Sequence, residues 1–118
     1  MQLKRQHTMK RASEFAMVRA QGSSAAGRFL VLSTLPYPGE GASAKGSRFG
    51  IITTKRLGHA VVRNLLRRRV REILRAHGEP LQQGHYVVII PRHTAATAAY
   101  HELEKDLLRL LKRRHFTT

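Results

Sequence analysis

The chain has 118 residues, with 22 Lys and Arg against 7 Asp and Glu, a formal charge of +15 and no cysteine. That length suits one domain whose core forms without a disulfide or structural metal, and the absence of thiols excludes a disulfide framework, a thiolate metal centre and a cysteine nucleophile. No apolar run is long enough to cross a bilayer and none follows the basic N-terminus, so neither a membrane span nor a secretory signal is expected, and a cytoplasmic location fits.

In chain order, residues 1–9 (MQLKRQHTM) form a basic segment expected to be flexible. Ser13–Gln21 is expected as a short helix, with Ser13 as N-cap, Gly22 at its stop, and Phe15 and Val18 on one face. Arg28–Leu35 (RFLVLSTL) is a compact apolar run ended by Pro36, which predicts a strand. Residues 36–47 are rich in Pro, Gly, Ala and Ser and are expected to be a mobile loop. Arg48–Thr54 (RFGIITT) predicts a second strand, antiparallel to the first. Lys55–Gly58 turns the chain into a helix that ends near Gly78-Glu79-Pro80. Tyr86–Pro91 (YVVIIP) is apolar enough throughout to be a central strand. Thr94–Arg114 predicts a long last helix with Tyr100, Leu103, Leu107, Leu110 and Leu111 on its buried stripe. The order α-β-β-α-β-α implies a single-domain α+β sandwich around one small sheet.

The middle helix carries the strongest signal. In HAVVRNLLRRRVREILR (59–75), Val62, Leu65, Leu66, Val70 and Ile73 recur at helical spacing and fall within one arc. Arg63, Asn64, Arg67, Arg68, Arg71 and Arg75 fill the opposite arc, with Glu72 the single acid of the stretch. Arg69 sits near the apolar arc, where its stem is expected to be buried and its head to reach solvent. A merely soluble surface would mix acids among the bases, yet no Asp or Glu occurs from residue 41 to 71. A segregated field of this kind attracts polyanions. Nucleic acid suits it better than an anionic membrane surface or an acidic protein, because planar guanidinium groups grip phosphates in bidentate fashion.

Catalytic signals are weak by comparison. Glu102, Glu104 and Asp106 crowd the last helix, but their spacing of two turns neighbours to different faces, and they are read as ordinary surface charge. A protein nuclease would need clustered carboxylates for its metal ions. His101-Glu102 opens like a zinc-protease motif, but Lys105 stands where the second histidine belongs; His77-Gly-Glu79 lacks the cysteines of a zinc deaminase. Residues 39–44 (GEGASA) match a dinucleotide fingerprint in spacing only, since neither a helix nor the required acid follows. No catalytic residue and no metal ligand is assigned to the protein.

These residues carry a resemblance. KRLGHAVVRNLLRRRVRE (55–72) resembles the signature of the bacterial ribonuclease P protein subunit, with two basic residues, Gly, Ala-Val, Arg-Asn and further arginines at the family's spacing. The likeness extends over nearly the whole chain, from the helix bearing Phe15 through RFGIITTK and YVVIIPR to the last helix. It implies an α/β sandwich with a left-handed βαβ crossover around the arginine helix, whereas about 98% of such crossovers are right-handed. It also implies a role in removing the 5′ leader from precursor tRNA. The partners would be a catalytic RNA subunit, which does the chemistry with Mg²⁺ held mainly by RNA, and the precursor tRNA itself, with no obligatory protein partner. Carried over by position, the RNA-binding residues are Lys55, Arg56, Arg63, Asn64, Arg67, Arg68 and Arg71, and the leader-binding residue is Phe15. Three positions depart from the family: Leu65 replaces a usual Arg, and Arg19 and Ser33 stand where aromatics occur. Leader stacking is therefore expected to be weaker and backbone charge more important. The alternative reading is a non-enzymatic basic RNA-binding module such as a small ribosomal protein.

Overall fold

The computed structural model describes Met9 and residues 12–36, 48–77 and 85–113. The basic N-terminal segment and the loop expected at 36–47 fall, apart from Met9 and Pro36, outside the described residues. The elements are α1 (Ala12–Gln21), β1 (Ser23–Ala26), β2 (Leu30–Pro36), β3 (Arg48–Ile51), α2 (Ala60–His77), β4 (His85–Pro91) and α3 (Tyr100–Arg113). Short 3₁₀ turns at Lys55–Leu57 and His93–Thr97 precede α2 and α3.

The four strands form one mixed sheet in the order β1-β2-β4-β3. The sheet is built around β4, as its unbroken apolar sequence predicts. Val87 and Ile89 face one way, into a core with Leu66, Val70, Ile73 and Leu74 of α2 and Leu103, Leu107, Leu110 and Leu111 of α3. Val88 faces the other way, with Met9 and Val18 and with the half-buried Phe15, Tyr86 and Ile90. A strand covered on both faces has no place for the polar alternation of a half-exposed one. Each fully buried Leu or Ile in the larger core contributes about 1.5–3 kcal/mol relative to exposure. Among the described residues, α1 and Met9 pack over the second face. On this face Leu35, Ile52, Tyr86 and Ile90 remain half-buried.

Several expectations need correction. The expected second strand does run opposite to β2, but the two do not pair: β4 lies between them, antiparallel to β2 and parallel to β3. Because β3 and β4 are parallel neighbours, α2 becomes the crossover between them. β3 also stops at Ile51 rather than Thr54, although the Ile52 amide still donates to Ile89 O at 3.0 Å. β1 was not expected, since SSAA offers no apolar alternation; it forms as an edge strand on β2, with Ser24 and Ser33 hydroxyls 2.7 Å apart. The last helix starts at Tyr100 instead of Thr94. Thr94 Oγ1 donates to Arg28 O at 2.7 Å, and Glu102 Oε1 accepts the Ala99 amide at 2.9 Å, the carboxylate half of a capping box.

A further correction concerns Asp106, read from sequence as surface charge. It is 3% exposed, and its carboxylate accepts the amides of Arg28 (3.1 Å), Phe29 (3.0 Å) and Leu30 (2.9 Å). It thereby anchors α3 to the β1–β2 turn. Its spacing explains the burial: Leu103, Asp106, Leu107 and Leu110 form a single stripe on α3. Replacing Asp106 by Asn keeps the shape but removes the charge. With hydrogen bonds to a charged group worth about 1.5–3 kcal/mol net, Asp106→Asn is expected to lower unfolding free energy by about that amount in urea melts, and Asp106→Ala by more.

Candidate nucleic-acid interface

The approach to α2 is set by Gly58. Its φ of 127° lies where a side chain is strained, and its amide closes the 3₁₀ turn on Lys55 O at 3.2 Å. Leu57, 3% exposed, pins the turn into the core while Lys55 and Arg56 stay exposed. From Ala60 onward the apolar arc is buried through Leu66, Val70, Ile73 and Leu74, so the arginines of the opposite arc face outward by helical geometry.

Those arginines divide into groups. Arg67 and Arg71 line a cavity of about 330 Å³, together with Arg75 of α2, Phe15 of α1, Met9 and Gly50 of β3. Arg68 and Asn64 are exposed, and Arg67 Nη1 donates to Asn64 Oδ1 at 3.2 Å, which steadies both side chains. Arg63 is half-buried, and its Nε finds no acceptor among the described residues. Arg69 is half-buried, and its Nη1 donates to Ala98 O at 3.0 Å, joining α2 to the segment before α3. Of the residues singled out from sequence, Phe15, Arg67 and Arg71 therefore meet around one cavity. Lys55, Arg56, Asn64 and Arg68 are exposed outside it.

Sequence reading missed Arg75 and Gly50 as cavity residues. Arg75 is four positions after Arg71, a helical spacing that places both on one side of α2. Gly50 is a glycine inside a strand, which marks close approach: a Cβ there would overlap the Phe15 ring and lie 3.2 Å from the Met9 sulfur. The three departures from the family pattern also have visible consequences. Ser33 is 3% exposed and paired with Ser24, so this part of the sheet offers a hydroxyl pair in place of an aromatic platform. Arg19 is exposed on α1, and Leu65 is half-buried on α2.

The electrostatics follow from where the carboxylates are. Glu14 faces Arg48 at 3.6 Å, Glu104 meets His77 Nε2 at 3.0 Å, Glu102 caps Ala99, and Asp106 holds three amides. None of these contacts involves Arg67 or Arg71 of the cavity. Among the described residues Arg63, Arg67, Arg68 and Arg71 have no carboxylate partner, so their charge is uncompensated within the fold. Burial, then the nearby carboxylates of Glu104 and Glu72, pushes the Tyr100 phenol above its ordinary value and keeps it neutral. No three His, Asp or Glu side chains among the described residues are grouped to hold a metal ion.

Comparison with known proteins settles the family. The family model for ribonuclease P matches residues 3–115. The ribonuclease P protein component of Bacillus cereus is 32% identical over 111 residues, covering 94% of this chain and 93% of that protein. That of Desulforamulus reducens is 37% identical over 100 residues, covering 85% and 84%. The chain belongs to the family of ribonuclease P protein components. The fold agrees. The Staphylococcus aureus RNase P protein superposes with a TM-score of 0.82 at 25% identity, over 95% of this chain and 98% of that one. The Thermotoga maritima protein gives 0.77 at 27% identity, over 90% and 96%. Membership in the ribonuclease P protein family favours the main reading of the sequence over the small ribosomal protein.

Gly50→Ala tests the cavity directly. The added methyl displaces Phe15, at a cost of about 1–3 kcal/mol for overpacking. Single-stranded RNA binding is expected to weaken in titrations of the folded variant, with a urea melt measuring the stability cost separately.

Proposed function

We propose that this protein works with the RNA of ribonuclease P and holds the single-stranded 5′ leader of precursor tRNA in the cleft between α1, the sheet and α2. The observation that carries this reading is the cavity joining Phe15 to Arg67, Arg71 and Arg75. An aromatic edge beside three guanidinium groups suits a nucleotide, with a base against the ring and a phosphate against the arginines. Lys55, Arg56, Asn64 and Arg68, exposed outside the cavity, extend the same charge. They would take the phosphate backbone of the RNA subunit and release condensed counterions.

Within this reading the RNA supplies the reactive groups and holds Mg²⁺, since among the described carboxylates Glu14, Glu102, Glu104 and Asp106 are engaged in the protein's own fold. The part played by the protein is physical. Arg67 and Arg71 neutralise phosphates where two RNA strands must approach, which reduces their mutual repulsion. Phe15 and the half-buried apolar strip of β4 receive an extended strand in preference to a duplex. A substrate that still has its leader is thus bound more tightly than the product.

The test is cleavage of a precursor tRNA by ribonuclease P RNA at low Mg²⁺. Added protein is expected to accelerate cleavage and to lower the Mg²⁺ requirement, while protein alone cleaves nothing. No acceleration by the protein would overturn the reading, and cleavage by protein alone would make it a nuclease in its own right. A second prediction concerns the two cavity arginines. Arg67→Ala/Arg71→Ala should weaken RNA binding and flatten the plot of log affinity against log salt by about 0.7–0.9 for each phosphate left without its guanidinium.

A further inference from the structure

We propose a second polyanion-binding face, formed by the β1–β2 turn and the outer side of α3, which takes phosphates from a separate segment of folded RNA. It rests on the reading of RNA as the partner but uses none of the residues assigned to the α2 interface. A cavity of about 270 Å³ lies there, lined in part by Arg28, His101, Lys105 and Arg109. Two acids also line it, Glu102 and Asp106, and both are engaged inward. Asp106 accepts the amides of residues 28–30, and Glu102 accepts the Ala99 amide.

The cations around it are held by neutral partners. The Arg28 guanidinium lies over the Phe29 ring, 5.3 Å from its centroid. Arg92 Nη1 donates to Gly27 O at 2.8 Å, and Arg113 Nη1 reaches Ala26 O at 3.5 Å. These interactions fix three guanidinium groups around one turn without cancelling their charge. Lys105 and Arg109, one helical turn apart on α3, are exposed and unpaired among the described residues. Side chains already positioned lose less entropy on binding than free ones. Planar guanidinium groups favour phosphate over a diffuse anionic surface.

Its position separates this face from the first. The α1–α2 cavity lies against β3, one edge of the sheet, and the second face lies at the turn leading from β1, the other edge. Three inter-strand steps make that about 14 Å across the sheet. A short oligonucleotide seated by Phe15 does not cover both, whereas a large folded RNA can.

The experiment compares two full-length variants on two probes. Lys105→Gln/Arg109→Gln changes side chains that bond nothing among the described residues, and its melting temperature is expected to match the parent; a second variant adds Arg28→Gln. Each is titrated with ribonuclease P RNA and with a single-stranded oligonucleotide of about eight nucleotides across a range of salt. Affinity for the large RNA is expected to fall about tenfold, with the salt slope reduced by about 2 as two to three phosphates cease to be neutralised, and oligonucleotide binding is expected to be unchanged. Unchanged affinity and slope for the large RNA would overturn the proposal. So would an equal loss on both probes, which would mark a general field effect. In the same assay, an Arg67→Ala/Arg71→Ala protein that binds both probes normally would count against the α2 interface and leave this face standing.

Discussion

The constraint on which this structure depends is a shortage of negative charge. With 7 acids among 118 residues and a net charge of +15, most pairs of charged groups repel. The described carboxylates with partners sit at joints between elements. Glu14 joins α1 to β3 through Arg48, Glu104 joins α3 to α2 through His77, and Asp106 joins α3 to the β1–β2 turn. Glu102 satisfies the start of α3. An acid at a joint stabilises the fold while taking nothing from the exposed arginine face. The apolar core then has to supply most of the remaining stability, and the leucines and isoleucines on the inner faces of α2, α3 and β4, such as Leu66, Ile73, Ile89, Leu103 and Leu107, are accordingly shut off from water.

The same arrangement links folding to binding. The uncompensated guanidinium groups of α2 raise the free energy of the isolated protein, and any polyanion that binds them removes part of that cost. A ligand that binds only the folded chain shifts the equilibrium toward it by mass action. RNA binding and native stability are therefore coupled in this protein, and the coupling weakens as salt screens both repulsion and attraction.

Much of this was legible in the sequence, for identifiable reasons. The period of apolar residues over 60–75 marked α2 and its polar arc, and the unbroken YVVIIP run marked β4 as central. The strand order was not legible, because pairing of β3 with β4 is non-local and depends on α2 packing across the sheet. β1 was hidden by its composition, SSAA, which carries no alternation. The start of α3 was obscured by alanines at 95, 96, 98 and 99, good helix formers that here occupy a 3₁₀ turn and the entry to the helix. Asp106 was misread because its charge was weighed and its place on the leucine stripe was not. For the site, helical periodicity gave the arginines a common arc. Only tertiary packing could bring Arg67 and Arg71 up to Phe15, and Arg69 within hydrogen-bonding reach of Ala98 O.

The clamp made by Asp106 has a temporal consequence. Its oxygens and the amides they hold are separated by 76 to 78 positions along the chain, and β2 likewise awaits β4 for its second neighbour. During synthesis the first two strands thus emerge long before the groups that secure them. The nascent chain lacks this clamp until the final helix has been translated, so a chain stalled before that point holds its first hairpin without the contacts that secure it.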